Sequence, residues 1–466
     1  MQLKNNPELK IETHRTKQKI TLEAGDPRSL ERNIRQLLAD KVCGNLTGIW
    51  LLIPEYLRLG AWDMLQAWCN TNEQQIEPRL ALQLVNETAL CVNGIRLKRT
   101  MSQRGFELAN GLPFVAADSA IHNLLNNHTM KDAQTLQIAL GKIRRTCGHF
   151  PAQILAVDPH RIKSYSQRQM IQRKKSDSDP KPAKMAQIFF CMDTQTQQPI
   201  CFITASSARN VTRATEELLT MTADIINCPT EKPLVLADDE HFTVELLDWI
   251  KTNSCFDMLT PMPNNRRVRE SMLKINENDF TSPWAGYAAA KQLYRLTRSK
   301  CEAYYQLVQR KGEKASDYDF KAFICTGDRD ELEDLSLHYP QRWHIEEFFH
   351  NYQAMGWKRA GSMNLNIQYG KMTLALIAQA ACYMLRQKIG DPYANWSAEH
   401  LANDFFRGLE GDIRVKDNVI TVTYYNAPNA DMLKSQYENL PKKLLAEYVN
   451  PKIPWLYDYM LDFKFK

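Results

Sequence analysis

An α/β fold, preceded by a helical region and followed by a smaller mixed region, is predicted by three observations. Two apolar runs, ILAVD ending at Asp158 and LVLADD ending at Asp238 and Asp239, read as buried strands that stop on carboxylates. Strand-like and helix-like segments alternate around them in the order β-β-β-α-β-α-β. A third acidic segment, YPQRWHIEEFF, puts Glu346 in the middle of a helix.

The elements follow in order. Residues 1 to about 25 are polar and basic and read as an arm. From Pro27 to about Arg145 apolar residues recur at three- and four-residue spacing, as in SLERNIRQLLADKV, AWDMLQAWCN and DAQTLQIALGKIRR. This predicts an all-α N-terminal domain over 1–150. The character changes at Pro151. ILAVD, AQIFFCMD (Ala186 to Asp193) and PICFITAS (Pro199 to Ser206) read as three strands, the last two joined as a hairpin by TQTQQ. VTRATEELLTMTADII is an amphipathic helix capped by Asn210. PLVLADD, TVELLDWIKTN and CFDMLTPMP then read as strand, helix and strand. A meander followed by αβ units is a ribonuclease H-like layout, in which the first and fourth strands lie side by side. Asp158 and Asp238 would then be neighbours. Residues 264–320 interrupt this layout with NNRRVRE, Trp284, Tyr287, AYYQLVQRKG and the start of DFKAFICTGD, and read as a β-rich insertion. A helix from about Glu331 to Met355 carries Glu346 and ends at Gly356. A long apolar helix covers Leu365 to Ile389, within an α/β domain spanning 151–405. The C-terminal region, 406–466, is α+β: a hairpin turning at Asp417-Asn418, then a helix over Asp431 to Tyr448.

At 466 residues the chain exceeds one ordinary core. Its 44% hydrophobic and 24% charged content are those of a globular protein, and a net charge of +6 permits a polyanionic partner. The 11 cysteines are scattered, with no CxxC pair and no His/Cys group at zinc spacing, so a structural zinc site is not expected. The opening MQLKNNPELKIETHRTKQK lacks a secretory pattern, and no stretch approaches 18 uninterrupted apolar residues. A cytoplasmic location with free thiols, and no membrane partner, is expected.

A carboxylate at the end of a buried strand is costly unless a cation offsets it. Two aspartates and a glutamate are hard oxygen donors suited to Mg²⁺. Phosphoryl transfer with two ions needs carboxylates that bridge and flank them. Asp158 is expected to bridge both ions, with Asp238 and Glu346 each completing one site. The alternative is that Asp158 and Asp238 are turn residues at strand ends. Asp239 competes with Asp238, and strand alternation lets only one face the site; Asp238 is preferred because it directly follows the apolar run. Tyr339, Arg342, Glu346, His350 and Gln353 share one helix face, with Arg342 one turn from Glu346 and able to hold a phosphate there. An ordinary exposed Arg–Glu pair is the alternative, and Glu347 points elsewhere. Between the first two strands lie Arg161, Lys163, Arg168, Arg173, Lys174, Lys175, Lys181 and Lys184, a backbone-phosphate surface or a solvated loop. Arg266, Arg267 and Arg269 offer a second basic patch, and Trp284 either stacks on an unpaired base or joins the core. His241 and Glu245, four apart, have metal-pair spacing, but a core or capping role suits them better.

With these motifs the chain resembles the DDE transposases of bacterial insertion sequences, in the cut-and-paste group with a β-rich insertion in a ribonuclease H-like catalytic domain. The likeness spans about Pro151 to Gly390 and the C-terminal VTYYNAPNADML and IPWLYDYMLDFKF runs. AVDPHRIKSYSQRQM, LADDEHFTVELLDWI and YPQRWHIEEFF carry it. The family's Tyr–x₂–Arg–x₃–Glu–x₆–Lys signature is met by Tyr339, Arg342 and Glu346, but Gln353 stands where the lysine belongs and Lys358 follows five residues later. Pro159 replaces the residue that usually precedes a Thr or Ser after the first acid. The resemblance implies cutting at the element's ends and joining of the 3′-OH to target DNA by Mg²⁺, with Mn²⁺ a substitute. It implies terminal inverted repeats recognised by the N-terminal domain, a homodimer on paired ends, and a nucleoid-associated location. A nuclease that cuts without joining and a catalytically silent DNA-binding relic are the alternatives.

Overall fold

The computed structural model describes residues 8–12, 19–23, 28–44, 46–71, 76–92, 101, 103–164, 172–173, 181–206, 208–357 and 364–466. The chain forms two compact units, Gly141–His350 and Met1–Leu140 with Asn351–Lys466. The boundaries expected after residues 150 and 405 do not coincide with this division.

The Gly141–His350 unit is built on one sheet. Its first half comprises β1 (Ile154–Lys163), β2 (Ala183–Asp193), β3 (Gln198–Ser206), α1 (Val211–Ile226), β4 (Leu234–Leu236), α2 (Val244–Asn253) and β5 (Asp257–Pro261). The order across the sheet is β3-β2-β1-β4-β5, with β4 parallel to both β1 and β5 and the β1–β2–β3 pairs antiparallel. This is the ribonuclease H-like order read from the sequence. Leu155, Ala156, Val157, Leu234, Val235 and Leu236 are all fully buried, which is why these strands read as unbroken apolar runs. Asn210 caps α1 by accepting the Thr212 N–H at 2.7 Å.

Residues 264–320 do not stand apart from this sheet. α3 (Arg266–Met272) leads into β6 (Thr281–Trp284), β7 (Tyr287–Tyr294), β8 (Tyr304–Lys311) and β9 (Asp319–Cys325), a meander in the order β6-β7-β8-β9. β9 pairs antiparallel with β5, Cys325 opposite Leu259, so the meander extends the sheet beyond its fifth strand. Leu236, Leu259, Leu307 and Phe323 then share one apolar cluster with Tyr339 packed against it.

Three expectations are corrected here. β1 does not end at Asp158. It continues to Lys163 along β2, with Asp158 opposite Phe190, while its pairing with β4 stops at Ala156 and Leu236. Asp158 therefore lies just past the end of β4, and Pro159 tolerates the edge-like setting that results. The run Glu331 to Met355 is not one α-helix. It changes from α (Glu331–Glu333) to π (Asp334–His338) to 3₁₀ (Tyr339–Trp343), and then to α4 (His344–Tyr352) and a 3₁₀ turn (Gln353–Met355). Pro340 has no N–H to give to the residue one turn earlier, which forces the irregular hydrogen bonding before it. Gly356, at φ 93°, ends the run as expected. Finally, Cys228 and Cys255 form a disulfide joining the ends of α1 and α2, against an expectation of free thiols. The other nine cysteines are free.

The second unit mixes helices with a five-stranded sheet. Val42–Gly44 pairs antiparallel with Gly411–Lys416, which pairs with Val419–Tyr424, which in turn lies parallel to Tyr459–Phe465. The N-terminal region is therefore not all-α: it supplies this strand, and Glu8–Glu12 pairs with Lys19–Glu23. The hairpin turns at Asp417 and Asn418, both at positive φ (49° and 62°), as a two-residue turn of the primed type requires. The helix expected over Asp431 to Tyr448 is two, Ala430–Tyr437 and Leu440–Ala446, with Pro441 in the first turn of the second. Leu365–Ile389 is one helix, buried on most of its surface and packed on Glu77–Ala89. Among the described residues, no helix is long and apolar enough to cross a membrane.

Candidate active site

Arg342 is the hub of the carboxylate cluster. Its Nη1 lies 3.9 Å from Asp158 Oδ1 and its Nη2 3.6 Å from Glu346 Oε1. The side chain is only 13% exposed, and its Nε is buried with no hydrogen-bond partner among the described residues. Both contacts exceed hydrogen-bonding distance, so the guanidinium neutralises two acids without being locked by either. Asp158 is set by the end of β4 and Glu346 by α4. α4 is seated on the sheet by Phe348 and Phe349, whose rings lie 5.7 and 5.2 Å from that of Phe190 in β2. Burying each such ring contributes about 2–3 kcal/mol, enough to fix the helix against one face. The turn between β2 and β3 holds the other side: the Thr194 hydroxyl and Gln341 Oε1 are 2.7 Å apart, and His344 Nδ1 is 2.8 Å from the Thr194 carbonyl.

Asp238 enters by a different route. Ala237 still donates to the Leu259 carbonyl at 3.1 Å, so the chain turns only after it. The Asp238 carbonyl accepts from the Thr260 hydroxyl at 2.6 Å. Its carboxylate caps the 3₁₀ turn Asp239–His241, with Oδ1 accepting from the Glu240 N–H at 3.1 Å and from His241 Nδ1 at 2.7 Å. Asp239 is exposed. The Tyr339 hydroxyl donates to the Ala237 carbonyl at 3.4 Å, which brings the Tyr339–Trp343 turn against the strand that ends in Asp238. Burial pushes Tyr339 up to about 12, keeping its hydroxyl a neutral donor.

The electrostatics show the crowding. Burial raises Asp158 to about 6; the Asp238 and Glu346 charges push in the same direction, against His241 and Arg342. For Asp238 burial also pushes upward, but the hydrogen bond from His241, the His241 and Arg342 charges and the Glu240 N–H outweigh it and hold the group below its usual value. The three acids thus share one field with a single arginine among them.

A family model for a transposase DDE domain matches residues 149–381, half of the chain. The chain belongs to the DDE transposase family. It is a DNA transposase, a metal-dependent enzyme of DNA cleavage and transfer. No curated protein matches it. Among solved structures, a piggyBac transposase synaptic complex with hairpin DNA, determined by cryo-EM, is similar at 11% identity and a TM-score of 0.43, over 76% of this chain and 79% of that one.

Transposases of this family use divalent metal ions. The acids here fit such a group by donor chemistry: all are hard oxygens, their mutual repulsion calls for positive charge, and the Arg342 guanidinium occupies a cationic place between two of them. Among the described residues, no three His, Cys, Asp or Glu side chains are already closed around one point.

The other sequence-predicted residues of the transposase separate into three groups. Arg161 is not free for a phosphate as it stands, because its guanidinium is paired with Glu240. Lys163 is exposed at the end of β1. Arg266 pairs with Glu270 at 2.7 Å, while Arg267 donates to the Thr297 hydroxyl and to the Arg295 carbonyl, tying α3 to the loop after β7. Trp284 is 53% exposed in β6 and stacks on Tyr287 with centroids 4.9 Å apart, so it is not core. Gln353 is half-buried in the turn beyond α4. Arg168 and Lys358 lie outside the described residues, as do the side chain of Arg173 and the lysines at 174 and 175. His241 and Glu245 do not form a pair, since His241 sits in the 3₁₀ turn and is buried on Asp238, whereas Glu245 is exposed on α2. The bond between Asp238 and His241 was invisible to a search by helical spacing, because it depends on a turn.

Proposed function

We propose that the transposase cuts DNA at the ends of an insertion sequence and joins the freed 3′-OH to target DNA, with Asp158, Asp238 and Glu346 as its catalytic acids. One observation carries this reading: Arg342 lies between Asp158 and Glu346 while Asp238 raises Asp158 through its charge. Two Mg²⁺ ions held by these acids, or Mn²⁺ in their place, would activate the attacking oxygen and stabilise the leaving one.

The chain's own groups divide the remaining work. In the first step water attacks phosphorus, the bond to the 3′-oxygen breaks, and a 3′-OH and a 5′-phosphate result. In the second the 3′-OH attacks a target phosphodiester, so one P–O bond forms as another breaks. Arg342 orients the scissile phosphate by two N–H donors, which its loose contacts to the acids leave able to turn toward DNA. Tyr339 holds the Tyr339–Trp343 turn on the strand of Asp238. Lys163, Arg266, Arg267 and Trp284, together with Arg161 once released from Glu240, bind the DNA beyond the reacting phosphate, and Arg168, Gln353 and Lys358 belong to the same DNA-binding set. The N-terminal region recognises terminal inverted repeats, the C-terminal region supports a homodimer on paired ends, and the enzyme works in the cytoplasm at the nucleoid.

The test is an in vitro reaction of the purified protein with DNA carrying its gene's own flanks, in Mg²⁺, in Mn²⁺ and in EDTA, repeated with Asp158→Ala. Metal-dependent cleavage at the boundary followed by joining, lost in the variant, is expected. Cleavage without joining would make the protein a nuclease. Specific binding with no cleavage in either metal would remove the catalytic assignment.

A further inference from the structure

We infer that His241 is a positioning residue for Asp238: its Nδ1–H holds one carboxylate oxygen and leaves the other as the ligand oxygen. The inference rests on the reading of Asp238 as an ion ligand.

The imidazole is 1% exposed, and Nδ1 lies 2.7 Å from Asp238 Oδ1. Its other nitrogen, Nε2, is buried and meets no hydrogen-bond partner among the described residues. That combination excludes the ordinary reading of a satisfied core histidine. A buried ring nitrogen without a partner costs about 1–3 kcal/mol, a cost phenylalanine would not carry in the same space. Among the described residues, only Nδ1 of the two ring nitrogens has a partner. Because a carboxylate offers only lone pairs, Nδ1 is the donor.

The Asp238 carboxylate is held unevenly. Oδ1 takes both the His241 Nδ1–H and the Glu240 N–H, whereas Oδ2 has no hydrogen bond among the described residues. Two donors on one oxygen fix the rotation of the carboxylate and keep it charged. The Thr260 hydroxyl on the Asp238 carbonyl fixes the backbone below it. Support of this kind behind an acidic ligand sets its direction and basicity, and its removal typically weakens metal binding by 10–100-fold. His241 touches neither DNA nor ion in this scheme and acts only through Asp238.

The test compares full-length His241→Phe, His241→Asn and Asp238→Asn by Mn²⁺ titration without DNA, reading the free ion by its electron paramagnetic resonance, with a thermal melt of each. The asparagine Nδ2 occupies the place of the histidine Nδ1, so His241→Asn is expected to bind Mn²⁺ within about 3-fold of the parent. His241→Phe fills the same space without a donor and is expected to bind about 10–100-fold more weakly at an unchanged melting temperature. If His241→Phe melts early, His241→Gln replaces it: its amide reaches one atom too far and is expected to weaken binding where asparagine does not. Parent-like Mn²⁺ binding by His241→Phe, with binding lost in Asp238→Asn, would overturn the role of His241 and leave Asp238 standing. Parent-like binding by Asp238→Asn, or none by the parent, would remove Asp238 as a ligand and this inference with it.

Discussion

The Gly141–His350 unit uses the same residue types twice, to opposite ends. Past the end of β4 stand Asp158, Asp238, Glu346, Arg342 and His241. At the amino end of β5 stand Asp257, Asp334, Glu333, Arg329 and His338. In the second group the contacts close: Arg329 Nε lies 3.2 Å from Asp334 Oδ2, His338 Nδ1 lies 2.8 Å from Asp334 Oδ1, and Asp334 is 1% exposed. Arg329 also reaches Asp257 at 3.7 Å, although burial still raises that carboxyl above its ordinary value. In the first group the arginine stands 3.6 and 3.9 Å from its acids and saturates neither. A closed cluster locks a turn, whereas an open one keeps charge available for a cation and a phosphate. The geometry, and not the residue types, separates the closed cluster from the open one.

The comparison is broken most severely by removing an acid from the open cluster. Asp158→Ala is expected to lower DNA cleavage by more than about 10³-fold, measured on end-containing duplexes, while the protein still folds. Arg342→Ala comes next, with a loss of about 10²-fold in cleavage. Its DNA affinity should also depend less steeply on salt, by roughly one phosphate contact, in binding measured across a salt series.

The closed cluster should respond in stability instead. Asp334→Asn removes the charge and one of the two acceptor oxygens that Arg329 and His338 use, and sets an NH₂ donor in its place. It is expected to cost about 3 kcal/mol by urea denaturation, with cleavage per folded molecule unchanged. The open cluster should show the reverse sign in the absence of metal. Asp158, raised from 3.8 to about 6, holds its proton more tightly folded than unfolded. Its charged form is the destabilising one. That cost is absent below about pH 4, grows toward pH 6 and is complete above it, reaching roughly 3 kcal/mol. Asp158→Asn is therefore expected to melt higher than the parent at pH 8 and nearly together with it at pH 4. Equal melting at both values would mean that neither burial nor the neighbouring acids penalise the Asp158 charge. The smallest effect belongs to Asp239→Asn: Asp239 is exposed, and less than about a 3-fold change in cleavage is expected.

What the sequence disclosed, and what it withheld, follows the reach of each interaction. β1 to β5 are legible because strands buried on both faces are unbroken apolar runs, and their order alone sets Asp158 beside Asp238. The exact standing of Asp158 was not legible, since it depends on where a neighbour 80 residues away stops pairing: Leu236 opposite Ala156. β7 escaped notice because YAAAKQLY is rich in alanine, which packs well between β6 and β8 but has little strand preference of its own. The strand Val42–Gly44 was hidden for a similar reason, as its partner lies in Gly411–Lys416 and three residues carry no period. The helix face through Tyr339, Arg342 and Glu346 was read as one α-helix. Pro340 alters its turns, but the four-residue step from Arg342 to Glu346 survives and is the part that brings them together.

The added meander also decides how the sheet terminates. Without it β5 would present a straight row of unpaired amides and carbonyls to any chain alongside. With it, the outermost strand on that side is β6, four exposed residues with Pro283 among them and an irregular register between Thr281 and Trp284. Such a border offers an incoming strand almost nothing to zip onto. The meander thus guards the sheet against edge-to-edge growth between copies.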